Sequence, residues 1–251
     1  LERGGNVVEY TGGSTGVSLA MICDVKGYAL HIVTSDAFSI EKRNHMRALG
    51  AELTLVASEG GGLNAALTRN MIEAARQIRA RTGGFWTDQL NNVDQLAAYR
   101  KMGDEIWRQT EGRVAAFVQS VGTAASLRGV AEHLRGKNPD IRIHAVEPGE
   151  SAMSSGQPTG VHKIEGVGAG FVVPLWDPSV VDEIATVSTA EAMQMARRLA
   201  REEAIFAGTS TGANVIAALR IAERLGKDAT VITVMCDSGV KYLSTDLYKE
   251  S

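Results

Sequence analysis

Three short stretches combine glycines with hydroxyl side chains at spacings suited to binding an anion. They are VVEYTGGSTGVSLA at residues 7–20, VQSVGTAAS at 118–126 and GTSTGAN at 208–214. Each stretch is predicted to be a turn that enters a helix, because small apolar residues at helical spacing follow it. Glycines let a ligand approach the backbone, and the first N–H groups of a helix, together with its dipole, favour negative charge. Three such helix starts can surround one ligand.

The same turns contain the pattern GxSxG twice, at residues 12–16 and 208–212. This pattern is the nucleophile elbow of α/β-hydrolases, in which an acid and then a histidine follow the serine. No histidine follows Ser210, and Ser14 has no HGGG-type stretch to supply an oxyanion hole, so a serine hydrolase is not favoured. The sequence also has no GxxxxGK[ST] phosphate loop, and its five histidines lack metal-ligand spacing, so no metal site is expected.

Eight β-rich apolar runs alternate with amphipathic segments along the chain. The predicted strands are residues 7–10, 30–34, 52–56, 84–87, 114–118, 141–146, 183–187 and 230–236. Helical spacing aligns four apolar residues on one face of a predicted helix: Leu67, Met71, Ala75 and Ile78. Ser188 and Glu191 predict a capping box at the start of a later helix. Repeated β–α units with nearly continuous apolar strands predict an α/β fold, with parallel sheets flanked by helices.

The predicted elements leave two architectures open. A (β/α)8 barrel is the second choice, because eight strands in about 250 residues are typical of that fold. The long loop at residues 148–182, rich in Gly, Ser and Pro, breaks the even rhythm that a barrel needs. The polar run DQLNNVD at 88–94 is instead predicted to connect two domains, a smaller one at residues 1–92 and a larger one at 93–251.

The composition is typical of a soluble globular protein. Of 251 residues, 44% are hydrophobic and 22% charged, and the net charge of −3 without a basic run argues against nucleic acid as a partner. No apolar run approaches the roughly 20 residues of a membrane span and no signal peptide is visible, so a cytoplasmic location away from membranes is expected. Cys23 and Cys236 lie far apart in apolar surroundings and are expected to be core residues.

Read with their neighbours, the three turns resemble the cysteine synthase (O-acetylserine sulfhydrylase) and cystathionine β-synthase family of fold type II pyridoxal-phosphate enzymes. Six landmarks stand in the family's order: EYTGGSTG (9–16), QLNN (89–92), GTAAS (122–126), EGVGAGF (165–171), EEAIFAGTSTGA (202–213) and CDSG (236–239). The resemblance covers essentially the whole chain. It implies the tryptophan synthase β-like fold, with two α/β domains and pyridoxal 5′-phosphate in the cleft between them.

The resemblance also implies which residues bind ligands. The residues expected to bind the cofactor are Ser14, Gly122, Thr123, Ala124, Ala125, Ser126 and Ser210. Its phosphate is expected on the turn at 122–126, and Ser210 is expected beside the pyridine nitrogen, where a neutral hydroxyl leaves the ring largely unprotonated. The residues expected to bind the amino-acid substrate are Thr11, Gly12, Thr15, Gln89 and Gly166.

Several of these positions depart from the family pattern. Ser14 stands where asparagine is usual, Gly12 replaces the usual serine, and Ala124 and Ala125 stand where glycines are common. The cofactor class is expected to survive these changes, whereas the choice of substrate stays open.

The implied reaction is β-replacement on an O-activated L-serine by sulfide or a thiol, catalysed by a homodimer. Two alternatives are a pyridoxal-phosphate-dependent serine or threonine dehydratase and a catalytically inactive fragment. The family's Schiff-base lysine lies several tens of residues before the first turn, so it is expected outside residues 1–251. No lysine within residues 1–251 matches the motif of the Schiff-base lysine. Four of them are expected on solvated faces or at loop ends: Lys26, Lys42, Lys163 and Lys241.

Overall fold

The computed structural model describes residues 1–59, 61–156 and 160–249. The first half of the chain forms a four-stranded sheet with three helices. Its elements are β1 (Asn6–Tyr10), α1 (Ser14–Lys26), β2 (Ala29–Ser35), α2 (Ile40–Ala48), β3 (Glu52–Val56), α3 (Ala65–Thr82) and β4 (Phe85–Trp86). All strand pairs are parallel, and the order across the sheet is β3-β2-β1-β4.

The second half forms another four-stranded parallel sheet. Its elements are α4 (Gln95–Gln109), β5 (Ala116–Ser120), α5 (Ala125–Lys137), β6 (Arg142–Pro148), β7 (Glu183–Val187), α6 (Thr189–Glu202), α7 (Thr209–Leu225) and β8 (Val231–Thr233). The strand order is β7-β6-β5-β8. Two separate sheets replace the closed barrel, so the (β/α)8 alternative is wrong, and the prediction of an α/β fold with parallel sheets is confirmed.

Local sequence patterns explain how these elements begin and pack. All eight predicted strands are present, although β4 has only two residues. The predicted apolar face of α3 is buried, and Asn64 caps this helix by accepting a hydrogen bond from the Leu67 N–H at 2.9 Å. The capping box of α6 is confirmed, with the Ser188 N–H donating to Glu191 at 2.9 Å and the Glu191 N–H donating to Ser188 at 3.3 Å.

The two sheets have the same strand order, although no sequence repeat is visible. In each, the chain builds three neighbouring strands in one direction and then returns to the other side of the first strand. The order in which strands are added across the sheet therefore reverses beside β1 in the first sheet and beside β5 in the second. In open parallel sheets, ligands bind at such switch points, beyond the carboxyl ends of the strands.

The largest apolar core joins the two sheets. It includes Val8 of β1, Leu67 of α3, Phe117 of β5 and Leu134 of α5. The predicted boundary at residues 92 and 93 falls between β4 and α4, and the domain limits stay a prediction. In the part of the chain that the structure describes, no helix combines the length and apolar character needed to span a membrane.

Candidate active site

A cavity of about 340 Å³ lies where the two sheets face each other. It is bordered by the segments that follow β1, β4, β5 and β8, which are the switch-point edges of both sheets. All five residues predicted to bind substrate line it: Thr11, Gly12, Thr15, Gln89 and Gly166. Five of the seven predicted cofactor residues also line it: Ser14, Gly122, Thr123, Ser126 and Ser210. The structure therefore brings the three turns together.

The first turn connects β1 to α1 and is held by its own side chains. Gly13 has a φ of 138°, a conformation that favours glycine, and its N–H donates to the Thr11 hydroxyl at 3.0 Å. The Thr15 hydroxyl donates to Gln89 Oε1 at 2.8 Å, and the Gln89 amide donates to the Tyr10 carbonyl at 2.6 Å. Helix α1 thus begins at the cavity, with Thr15 and Gln89 fixed beside its first turn.

A buried carboxylate, Glu9, holds the segment that carries Gln89 against β1. It is fully buried and accepts hydrogen bonds from the N–H of Tyr10 at 2.9 Å, the indole of Trp86 at 3.2 Å and the N–H of Gln89 at 3.0 Å. Burial raises its pKa, and these hydrogen bonds partly offset the effect. Sequence reasoning assigned Glu9 no role, although a carboxylate inside an apolar strand was a visible signal.

The second turn connects β5 to α5. Gly122, Thr123 and Ser126 face the cavity, whereas Ala124 and Ala125 are buried behind the turn. Ala124 has a φ of 68°, which places it in the left-handed region just before the helix begins. A Cβ on Gly122 would lie 2.6 Å from the Gly166 carbonyl oxygen, so only glycine allows this close contact between the turn and the loop at residues 165–168.

The third turn begins α7 and places Ser210 at the cavity. Nearby, Gln119 and Ser120 at the end of β5 also line the cavity, and both are more than nine-tenths buried. Within the described residues, Gln119 Oε1 and the Ser120 hydroxyl have no hydrogen-bond partner. Cys236 was predicted to be a core residue, but its side chain is exposed toward this cavity, whereas Cys23 is buried as expected.

The loop at residues 165–168 is fixed by His162. The His162 ring is buried; its Nε2 lies 3.0 Å from the Gly168 carbonyl oxygen, and its Nδ1 accepts from the Ile164 N–H at 3.3 Å. These partners assign a neutral ring with the proton on Nε2. Burial lowers the pKa of His162, which agrees with that form.

The prediction for Lys42 was wrong. Its side chain is only 2% exposed, and its ammonium bridges Glu165 at 2.8 Å and Asp237 at 3.4 Å. Helical spacing alone did not reveal this contact, because both partners come from the second half of the chain. Lys26 is exposed, and Lys163 is exposed and pairs with Asp246. None of the described residues that line the cavity is a lysine.

Comparison with known proteins identifies the family. The family described as "Pyridoxal-phosphate dependent enzyme" matches residues 1–237. The chain belongs to this family. It is 40% identical to cysteine synthase 3 of Caenorhabditis elegans over 246 residues, which is 97% of this chain and 72% of the relative.

Two solved structures have the same fold. Cysteine synthase from Entamoeba histolytica superposes with a TM-score of 0.90 at 37% identity, covering 100% of this chain and 73% of that one. O-ureido-L-serine synthase superposes with a TM-score of 0.88 at 36% identity, covering 99% and 77%. The fold type II architecture is therefore confirmed, and the predicted pyridoxal-phosphate cofactor agrees with the family.

The cavity fits pyridoxal phosphate. Thr123 and Ser126 line the cavity at the start of α5, where the first N–H groups of a helix have no partner within the helix, and Gly122 adds no side-chain bulk beside them, which suits a phosphate. The unpartnered atoms of Gln119 and Ser120 leave polar groups for a ring-bearing ligand. The roles of individual residues stay predictions, including those of Ser14 and Ser210.

Proposed function

We propose that the protein catalyses β-replacement on an O-activated L-serine, with sulfide or a thiol as the second substrate. The observation that carries this proposal is one cavity that joins a hydroxyl-rich turn at residues 11–15 to a second anion-binding turn at 122–126. Similarity to a cysteine synthase and to an O-ureido-L-serine synthase supports it. The same similarity favours β-replacement over the dehydratase alternative.

The first turn is the proposed binding site for the substrate carboxylate. Thr11, Gly12 and Thr15 surround the start of α1, where backbone N–H groups and the helix dipole attract an anion. Gln89 is held against Thr15 and Tyr10, so its amide is already oriented before substrate arrives. Gly166 borders the same space and leaves room for the substrate side chain.

The second and third turns are the proposed cofactor site. The turn at residues 122–126 would hold the phosphate, Ser14 would face the ring oxygen, and Ser210 would face the pyridine nitrogen. When bound, the cofactor supplies an electron-withdrawing ring that allows the α-proton and the leaving group to depart. A hydroxyl at Ser210, in place of a carboxylate, limits ring protonation and suits reactions in which a leaving group removes electrons.

Replacing Ser210 by Asp tests its role. A carboxylate would favour the protonated ring, so we expect a changed absorbance spectrum of the bound cofactor and slower β-replacement. The Ser210→Ala variant is the matched control because it removes the hydroxyl without adding charge. An unchanged spectrum and rate in Ser210→Asp would contradict the assignment.

The reaction itself is tested by supplying O-acetyl-L-serine and sulfide and measuring L-cysteine. We expect cysteine formation that depends on sulfide, with little keto acid when sulfide is omitted. Keto acid that forms equally fast with and without sulfide would instead identify a dehydratase. Borohydride reduction followed by peptide mapping would locate the lysine that binds the cofactor, and absence of any cofactor adduct would support the inactive-fragment alternative.

We also propose that the enzyme is a cytoplasmic homodimer. Three apolar side chains on α1 are exposed, Met21 at 52%, Ile22 at 54% and Val25 at 83%, which is typical of a surface that another subunit covers. Size-exclusion chromatography with light scattering should give twice the mass of one chain. Val25→Glu should shift that mass toward one chain, and a wild-type monomer would contradict the proposal.

A further inference from the structure

Lys42 is the centre of a buried polar cluster behind the cavity. Its ammonium donates to Glu165 Oε2 and to the Tyr242 hydroxyl, both at 2.8 Å, and lies 4.2 Å from the centre of the Tyr242 ring. The Tyr242 hydroxyl donates in turn to Asp237 Oδ2 at 2.8 Å. Lys42, Glu165, Asp237 and Tyr242 are each at most 9% exposed. We call these four residues the Lys42 cluster.

The Lys42 cluster joins the two halves of the molecule. Lys42 lies on α2, which belongs to the first sheet, whereas its three partners belong to the second half of the chain. Helix α2 has a further contact of this kind, because the Ser244 hydroxyl donates to Glu41 at 2.8 Å. That second contact is exposed to solvent, where ion pairs and hydrogen bonds contribute little. The buried ammonium is therefore the main polar connection between α2 and the second half.

The cluster also touches two sides of the cavity, the first turn and the side that carries Ser210. The stem of Lys42 packs beneath the first turn so closely that a Cβ on Gly13 would clash with Cδ of Lys42. Glu165 and Asp237 line the cavity themselves. The Glu165 N–H donates to the Thr209 hydroxyl at 3.3 Å, and the Gly208 N–H donates to the Asp237 carbonyl at 3.3 Å. Both residues are thereby attached to the turn that carries Ser210.

Charge explains why a cation is needed at this place. Two buried carboxylates, Glu165 and Asp237, would repel each other without the ammonium between them. Burial raises the pKa of Glu165, and Lys42 acts in the opposite direction by stabilising the carboxylate. Removing the ammonium would leave two largely buried carboxylates without a counter-charge and loosen the segments that they hold.

We propose that Lys42 is a positioning residue that locks the substrate-binding turn and the cofactor-binding wall into one arrangement. This inference deepens the proposed function, because it concerns the same cavity. Lys42 does not line the cavity, so its effect reaches ligands through Gly13, Glu165 and Asp237. The expected signature is weaker binding of both ligands, with a smaller effect on the rate of the bound complex.

The test uses the holoenzyme with Lys42→Met, Lys42→Arg and the control Lys26→Met, whose lysine is exposed at the end of α1. We measure the cofactor dissociation constant by absorbance, and KM and kcat with O-acetyl-L-serine and sulfide. Lys42→Met should raise both the dissociation constant and KM about tenfold, which is less than the roughly 100-fold that a 1 Å misplacement of positioned groups can cost. Lys42→Arg retains the cation and should recover most of the loss, and Lys26→Met should match wild type.

Wild-type values of KM and the dissociation constant in Lys42→Met would overturn the proposal, as would a loss of kcat alone. If Lys42→Met does not fold, Tyr242→Phe decides, because it removes the hydroxyl that bridges Lys42 and Asp237 and leaves only their direct contact at 3.4 Å. It should weaken cofactor binding, and unchanged binding would overturn the proposal. A wild-type protein that binds cofactor without turning over O-acetyl-L-serine would contradict the proposed reaction only, since the dissociation constants still test Lys42.

Discussion

The backbone of Gly12 lies against the ring of Phe38 at the edge of the cavity. A Cβ on Gly12 would be 2.5 Å from Cε1 of Phe38, and Phe38 belongs to the core shared by the two sheets. The ring therefore fills the space that a serine side chain would need at this position. Gly12 does not have a positive φ, so its backbone conformation does not require glycine. The neighbouring Phe38 ring is what excludes a side chain here.

Replacing Gly12 by Ser should consequently destabilise the protein and weaken substrate binding. Overpacking of this kind typically lowers the free energy of unfolding by about 1–3 kcal/mol. Urea unfolding and KM for the activated serine measure the two effects. In the double variant Gly12→Ser with Phe38→Leu, the smaller side chain should restore part of the loss, and independent, additive effects of the two substitutions would disprove the steric explanation.

Residue types alone predicted the three turns that border the cavity, but not the side chains that support them. The turns at residues 11–15, 122–126 and 208–212 were visible because glycines and hydroxyls cluster locally. Lys42 and Glu9 were missed because their partners lie far away in sequence: Glu165 is 123 residues from Lys42, and Gln89 is 80 residues from Glu9. A lysine in an amphipathic segment looks the same whether solvent or a carboxylate faces it.

At the scale of elements, helices α4 and α5 approach each other closely through glycines. A Cβ on Gly129 of α5 would lie 2.7 Å from Cβ of Tyr99 and 2.9 Å from the Leu96 carbonyl oxygen, both on α4. Gly136, near the end of the same α5, has no atom within 4 Å of its ideal Cβ position. Substitution by alanine at Gly136 therefore tests helix propensity alone, whereas at Gly129 it tests propensity together with packing against α4.

Gly136→Ala should raise the free energy of unfolding by up to about 1 kcal/mol, since alanine favours the helix. Gly129→Ala gains the same propensity but forces α4 and α5 apart, so a net loss of about 1–2 kcal/mol is expected. Thermal or urea unfolding of both variants gives the comparison. Equal effects at the two positions would show that the close helix contact does not limit stability.

Elements were predictable where the signal is local and continuous. Buried parallel strands are apolar over their whole length, and the α6 capping box depends on two residues only three positions apart. Strand β4 is reduced to two residues because it pairs with only Val7 and Val8 of β1 before the chain turns into the Gln89 segment. That limit comes from pairing, which the sequence of β4 does not contain.

At the scale of the molecule, two sheets with one strand order form a single binding site. Each sheet alone offers a switch point with one turn that we propose to bind an anion, at residues 11–15 in the first and 122–126 in the second. The cavity that joins the two turns exists only because the sheets face each other. The shared order was not predictable, because strand order depends on long-range pairing and the two halves have no visible sequence repeat.

The buried ring of His162, which contacts Gly168 and Ile164 in the loop, is expected to make the stability of the molecule sensitive to acid. Burial lowers the pKa of His162 from its ordinary value of 6.5, so the unfolded chain takes up a proton at a higher pH than the folded one. The stability that neutral His162 contributes is therefore complete above about pH 6.5 and falls as the pH decreases toward the lowered pKa. For one proton, the free energy of unfolding changes with pH by at most about 1.4 kcal/mol per pH unit.

His162→Gln isolates this effect, because glutamine offers a donor for Gly168 and an acceptor for Ile164 but does not titrate in this range. All other ionisable groups are common to both proteins, so the difference in unfolding free energy between them reports on His162. We expect wild type to lose stability relative to His162→Gln when urea unfolding is repeated from pH 7.5 down to pH 5. A difference that stays constant with pH would mean that His162 does not link proton uptake to folding. The loop contacts of His162 would then have to tolerate the charged ring.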